Sequence, residues 1–311
     1  MIAGLRALLE RLGAFVAVLL GTAMVVEGLL ILTPGDAIDL LPDSGPVRAF
    51  IEQQWGMDLP FQSRLWLRLS QLLHGDLGYS LTYRPGADVK SLVWAAGSQS
   101  LGLLVPAVGI TMLLGLGLAL LPLHGRLVRA ISVVPTFMAS FLLINGVNAA
   151  VWFLVERGSI QRPSWFALPA ERGLVPWALA VAVLAVASGT LGEVHAACSL
   201  GITQLREAPF VLAARARGDS SLWVLARNLL PQLAAVLSAR SATLVGGIVV
   251  VEKLFLLNGA GATFWNACLY RDYPLVVGLS LAAAATVATL KLLTDLLRVT
   301  LDPRLRTSRG G

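Results

Sequence analysis

Six apolar stretches, at about 12–32, 99–121, 130–154, 174–197, 233–257 and 275–298, recur along this chain with polar breaks between them. A helix needs roughly 20 predominantly apolar residues, rising about 1.5 Å each, to cross the hydrocarbon core of a bilayer. Each stretch reaches that length, so the chain is expected to be an all-α polytopic membrane protein with six transmembrane helices. Composition agrees: 56% of the 311 residues are hydrophobic and only 14% are charged, with mean hydropathy +0.76, a balance that a water-soluble globule cannot carry. The formal charge of +6 does not point to nucleic acid, because Lys and Arg collect at the ends of apolar stretches, where they orient a chain in the bilayer.

Arg6 and Arg11 precede the first stretch in the manner of an export signal. Yet that stretch is long enough to span and ends in Thr33-Pro34-Gly35-Asp36 without a small-x-small cleavage site, so it reads as a retained helix. Residues 1–33 then form a tail and the first helix, 34–98 a polar segment, and 99–311 a core holding the other five helices. Within 34–98, Trp55, Leu59, Phe61, Leu65, Trp66, Leu69 and Leu72 recur at mostly helical spacing, which predicts short helices lying on the membrane surface. If Arg6 and Arg11 are cytoplasmic, then so are His124, Arg126 and Arg129, the Arg206 to Arg227 segment, and the tail with Arg304, Arg306 and Arg309. The opposite face receives 34–98, where acids outnumber bases, and the loops 155–173 and 258–274. Both termini are expected in the cytoplasm.

Ionisable side chains fall within or beside the stretches at Glu27, Glu193, Arg240, Glu252, Lys253, Lys291 and Asp295. A charge at the bilayer centre costs at least about 2.5–3.5 kcal/mol, so such groups face a bundle interior, a cavity or the interface. Lys253, Lys291 and Asp295 lie near stretch ends, where snorkelling suffices. Glu27 falls near the outer end of the first stretch and Arg240 near the inner end of the fifth, and they are not expected to pair. Small residues at Gly109, Gly115, Gly117, Ala178 to Gly192, Gly246, Gly247 and Ala282 to Ala285 suit close helix packing in lipid, and a share of them could line a solute path. Cys198 and Cys268 fall on opposite sides under this topology, so no disulfide is expected, and no His/Cys spacing predicts a metal site.

One polar break stands apart. Val211-Leu-Ala-Ala-Arg-Ala-Arg-Gly218, followed by Asn228-Leu-Leu-Pro231, combines arginines that stay out of lipid with small residues that let another protein approach closely. It reads as a coupling element gripped by a soluble partner.

These residues resemble the cytoplasmic coupling motif of bacterial ABC-importer permeases, at Leu212-Ala213-Ala214, Gly218 and Asn228-Leu229-Leu230-Pro231, without that motif's glutamate and isoleucine. Five further blocks resemble the dipeptide/oligopeptide/nickel (opine) branch. They are Trp55-Gly-Met-Asp-Leu-Pro60, His74-Gly-Asp-Leu-Gly-Tyr-Ser80, Gly246 to Glu252 with Phe255 and Asn258-Gly-Ala-Gly261, Arg271-Asp-Tyr-Pro274, and Leu301-Asp-Pro-Arg-Leu-Arg306. Arg227 stands where the branch commonly has histidine, and Asn258 replaces a proline.

The resemblance implies a type I ABC importer permease fold with an extracytoplasmic helical insertion between helices 1 and 2, in the bacterial inner membrane. It implies a non-catalytic subunit forming half of a translocation pathway for peptides, opines or metal chelates. Its implied partners are a second homologous permease, one or two ATP-binding subunits, an extracytoplasmic substrate-binding protein and membrane lipid. ATP and Mg are used by those partners, since the chain has no GxxxxGK[ST] loop and binds no cofactor of its own. A coupling helix near 205–220 would dock on the ATPase through Arg206, Arg215 and Arg217, with Leu212, Ala213, Ala214 and Gly218 allowing close approach and Pro231 ending the helix. Gly218 also reads as a helix C-cap, which is compatible with docking. Glu252, Gly259, Gly261, Arg271 and Asp272 are candidates for gating or for facing the binding protein, although Arg271 and Asp272 could instead pair with each other or with headgroups.

Two other classes compete. A secondary transporter would show repeated halves and broken helices, and an intramembrane enzyme would need a catalytic pair inside a span. Glu193 and His195 are two residues apart and do not face each other on a helix.

Overall fold

The computed structural model describes residues 2–32, 59–120, 153, 157–158, 174–187, 189–206, 208–218 and 221–301. Among them the elements are α1 (Ile2–Leu32), α2 (Phe61–Leu73), α3 (Val89–Leu120), α4 (Leu174–Ala187), α5 (Thr190–Arg206), α6 (Pro209–Ala216), α7 (Ser221–Leu254), α8 (Ala260–Leu269) and α9 (Tyr273–Leu301). Among the described residues, four helical segments are long and apolar enough to cross a membrane, Arg11–Leu30, Val89–Leu120, Asn228–Lys253 and Tyr273–Leu297, and the bent pair Ala180–Val186 with Thr190–Leu205 makes a fifth if it is one span. Apart from Phe153, the expected third span at 130–154 lies outside the described residues, as do residues 33–58 and the basic tail from 302.

Three boundaries differ from the sequence reading, each for a local reason. The second span begins at Val89 rather than near 99, because the Asp88 carboxylate caps the helix by accepting hydrogen bonds from Lys90 N–H and Ser91 N–H, both at 3.2 Å. The expected continuous span 174–197 is instead two helices, α4 and α5. Segments of that pair meet at a bend of 51°, and Gly189 at the break adopts φ +73°, a left-handed conformation that glycine takes without steric cost.

The third difference concerns Pro231, which was expected to end a helix and instead lies inside α7. Proline removes one backbone donor and clashes with the turn before it, a cost of about 3 kcal/mol. A helix that runs from Ser221 to Leu254 through this point and packs against neighbours can absorb that cost.

The chain forms two compact units: Met1–Ser100 with Asn258–Thr289, and Leu101–Leu257 with Leu290–Gly311. In the first, α2 is amphipathic, as its spacing predicts. A turn closed by an isolated bridge between Tyr79 and Asp88 leads into α3. Val89, Ala96, Ala267, Leu275, Val276 and Leu279 make the core of this unit. Gly278 permits that packing, since a Cβ there would stand 2.8 Å from Val89 Cγ1 and 3.1 Å from Val93 Cγ2. Gly278→Val is therefore expected to cost about 1–3 kcal/mol through overpacking, read as a lower unfolding temperature in detergent. An unchanged temperature would mean that the two helices separate freely at this point.

The second unit is built on Leu103, Leu104, Ala107, Val181, Leu184, Leu244 and neighbouring apolar residues. Gly115 lies against Val194, and Gly201 against Leu229 and Gln232, so close that neither position admits a side chain without movement. Lipid tails give helices no hydrophobic reason to associate, so this close approach supplies the attraction. The buried Thr111 hydroxyl lies 2.7 Å from the Ala107 carbonyl of its own helix and 3.0 Å from the Ala185 carbonyl in the last turn of α4, where carbonyls have no partner within the helix.

Candidate functional site

The expected coupling helix near 205–220 resolves into a two-turn helix, α6, between two breaks. Pro209 is its first residue, where a missing N–H goes unnoticed and the fixed φ already suits a helix. Arg206 is the last residue of α5 and so stands outside α6. At the far end Arg217 N–H donates to both Ala213 O and Ala214 O at 3.2 Å, and Gly218 follows with φ +85°. The capping role of Gly218 is thus present. Ala213, Arg217 and Gly218 are exposed while Ala214 and Val211 are buried, so α6 rests on its own unit through one edge and presents the other. The side chains of Arg206, Leu212 and Arg215 lie outside the described residues.

The candidates from the end of α7 onward divide differently. Glu252, Gly259, Gly261 and Asp272 are buried, and only Arg271 is exposed. Both ends of the 255–272 connection use the same device. Leu257 N–H donates to Glu252 O at 2.9 Å across Leu256 at φ 53°, and Asp272 N–H donates to Ala267 O at 2.8 Å across Arg271 at φ 53°. These are helix stops in which a left-handed residue, usually glycine, follows the last turn. A side chain there is strained, so Arg271→Gly is expected to raise stability by about 1 kcal/mol. Thermal unfolding checks the sign, and a fall would show that the arginine side chain itself stabilises the loop.

Gly259 precedes α8 with no side chain to cap it. Ser100 of α3 does so instead, its hydroxyl accepting from Ala260 N–H at 2.7 Å. Nothing in the sequence signals that pairing.

Asp272 is the focus of the same unit. Fully buried, its Oδ2 accepts from the Ser80 hydroxyl at 2.5 Å and from the N–H groups of Leu81, Thr82 and Tyr83 at 3.1, 3.2 and 3.0 Å. Its Oδ1 faces Leu275 N–H at 3.4 Å, at the start of α9. The Ser80 oxygen in turn accepts from Arg84 N–H, and the Thr82 hydroxyl donates to Tyr270 O at 2.6 Å. One carboxylate therefore fastens the turn after α2 to the first turn of α9. Asp272 is partnered by this turn and not by Arg271.

In the second unit, Arg240 and Glu193 form an ion pair. Arg240 Nε donates to Glu193 Oε2 at 2.6 Å, and Nη2 donates to Oε1. Arg240 falls halfway along the span Asn228–Lys253 rather than near its end, because that span starts before Pro231 instead of after it. Sequence reading found both residues but weighed Glu193 only against His195, whose Nε2 lies 3.1 Å from the Ser199 hydroxyl. Among the described residues no group of three His, Cys, Asp or Glu is placed to hold a metal ion, and Cys198 and Cys268 are free thiols.

A family model described as "Binding-protein-dependent transport system inner membrane component" matches residues 107–307. A Brucella ovis protein that bears a peptide-permease name is 27% identical over 98% of this chain and 100% of its own length. The glutathione transport system permease protein GsiC of Salmonella typhimurium is 26% identical over 96% of this chain and 98% of its own length. The oligopeptide transport system permease protein OppB of Haemophilus influenzae is 27% identical over 84% of this chain and 85% of its own length.

Proposed function

The chain belongs to the family of binding-protein-dependent transport system inner membrane components, and from that premise we propose that it carries peptides or related small solutes and takes its driving force through α6. It is a permease component of an ABC-type importer, and similarity to peptide and glutathione permeases over nearly its whole length supports the cargo class. The observation that carries the force-transfer reading is α6 itself: a short helix bounded by Pro209 and Gly218, with Ala213 and Arg217 exposed on the edge away from its own unit.

The proposed cycle assigns hydrolysis to separate ATP-binding subunits that use Mg, and no catalytic step to this chain. Closure of those subunits draws α6 toward its counterpart in a second homologous permease, and the spans open toward a loaded binding protein on the far side. Both termini and α6 lie in the cytoplasm under this reading, and the turn at 79–88 and the 258–274 loop lie outside. Residues Arg206, Arg215 and Arg217 supply charge-assisted bonds to the ATPase. Arg271, the exposed outer candidate, is available to the binding protein.

The test is purification of the tagged chain from its own membrane, followed by reconstitution. The expected result is that ATP-hydrolysing subunits and a second permease accompany it, and that trialanine accumulates in vesicles only with ATP and the binding protein. Uptake driven by an ion gradient without ATP would favour a secondary transporter and end this reading.

A further inference from the structure

We propose that the Glu193–Arg240 pair is a subsite for the charged ends of a zwitterionic solute passing through the membrane; this rests on reading the chain as half of a translocation path. Arg240 stands midway along its span, and the side chains of Arg240 and Glu193 are 32% and 40% exposed. Charges at that depth are not left against lipid tails, so an exposed pair faces a water-filled passage or another polypeptide. The surface beside it is made of small groups. Ala239, Thr243 and Gly246 are exposed at i, i+4 and i+7 on α7, and Ala196 is exposed three residues on from Glu193 on α5. Small side chains leave room for a solute next to the charges.

The hydrogen-bonding capacity of the pair identifies the class of solute. A guanidinium has five N–H donors in a planar fork, and Glu193 takes those of Nε and one Nη2 hydrogen. The rest can receive a second carboxylate, while the spare lone pairs of Glu193 can receive an ammonium group. Cation and anion therefore adjoin on a surface of no net charge, matching a molecule that carries an amino and a carboxyl terminus. Because each protein charge already has a partner, a departing solute leaves none isolated. Holding is correspondingly weak, as a passage requires if its cargo is to leave.

The test uses the complete transporter with its binding protein in proteoliposomes and radiolabelled trialanine as the probe. The double variant Glu193→Gln with Arg240→Gln removes both charges and leaves polar side chains of similar length. The expected result is normal assembly, normal ATPase stimulation by the loaded binding protein, and trialanine uptake per ATP lowered about tenfold, as the loss of charge-assisted hydrogen bonds implies. The exchange variant Glu193→Arg with Arg240→Glu restores the charges in reverse order and is expected to recover most of the uptake. Wild-type uptake by the uncharged variant would show that the pair only packs two helices, and loss of the second permease from that variant would make it a contact between subunits. Either result overturns the proposal. Wild-type vesicles that move no trialanine with ATP would remove the peptide-cargo reading, and the subsite with it.

Discussion

Asp272→Ala is expected to destabilise the first unit by about 3–5 kcal/mol, because several donors lose their shared acceptor at once, and that is a large part of a domain's total stability. The Ser80 hydroxyl and the N–H groups of Leu81, Thr82 and Tyr83 all converge on one carboxylate oxygen. Removing it leaves four donors without an acceptor, and each unsatisfied buried group costs about 1–3 kcal/mol unless water reaches it. Asp272→Asn keeps the shape but turns a partly donating amide toward donors, so it should lie between alanine and wild type. Ser80→Ala should cost only about 1 kcal/mol, since it removes a single partner. Unfolding temperature of the purified complex in detergent gives the order. Equal stability of Asp272→Ala and wild type would mean that the 80–83 turn is held by other contacts.

Gly218→Leu is expected to abolish ATP-driven uptake while the chain still inserts and accumulates. The effect on the chain alone is small. A Cβ at Gly218 would meet nothing within 4 Å, so the penalty is the left-handed backbone at φ +85°, about 1–2 kcal/mol for a residue with a side chain. Any larger loss must come from what approaches this turn from outside. Gly218→Asn separates the two contributions, because asparagine tolerates the left-handed conformation yet still adds bulk. Uptake lost with Leu and kept with Asn would assign Gly218 a capping role only. Uptake lost with both, at normal protein levels, would place a partner against the turn. Normal uptake by the leucine variant would remove α6 from the coupling pathway.

The elements that were legible in the sequence are those that a local rule creates. The apolar stretches at 12–32 and 275–298 reappear as Arg11–Leu30 and Tyr273–Leu297, because membrane length and apolarity are properties of a short window of residues. The amphipathic helix Phe61–Leu73 follows from spacing in the same way. Boundaries were less legible where two rules compete. Pro231 predicts a stop, but the continuing helix on either side outweighs one missing hydrogen bond. Gly189 inside an apolar run reads as a tolerated small residue, and only its φ of +73° reveals a break.

Sequence alone therefore determined that this chain crosses a membrane repeatedly, that it resembles importer permeases, and that a polar segment around 205–220 is set apart from the spans. These depend on composition and on patterns within one helix or one turn. Tertiary structure decided which charges meet. Asp272 finds its partners at Ser80 to Tyr83, and Arg240 finds Glu193. Each pairing joins segments far apart in the chain, and a hydrogen bond or ion pair a few ångströms long depends on how helices pack, which no local spacing encodes.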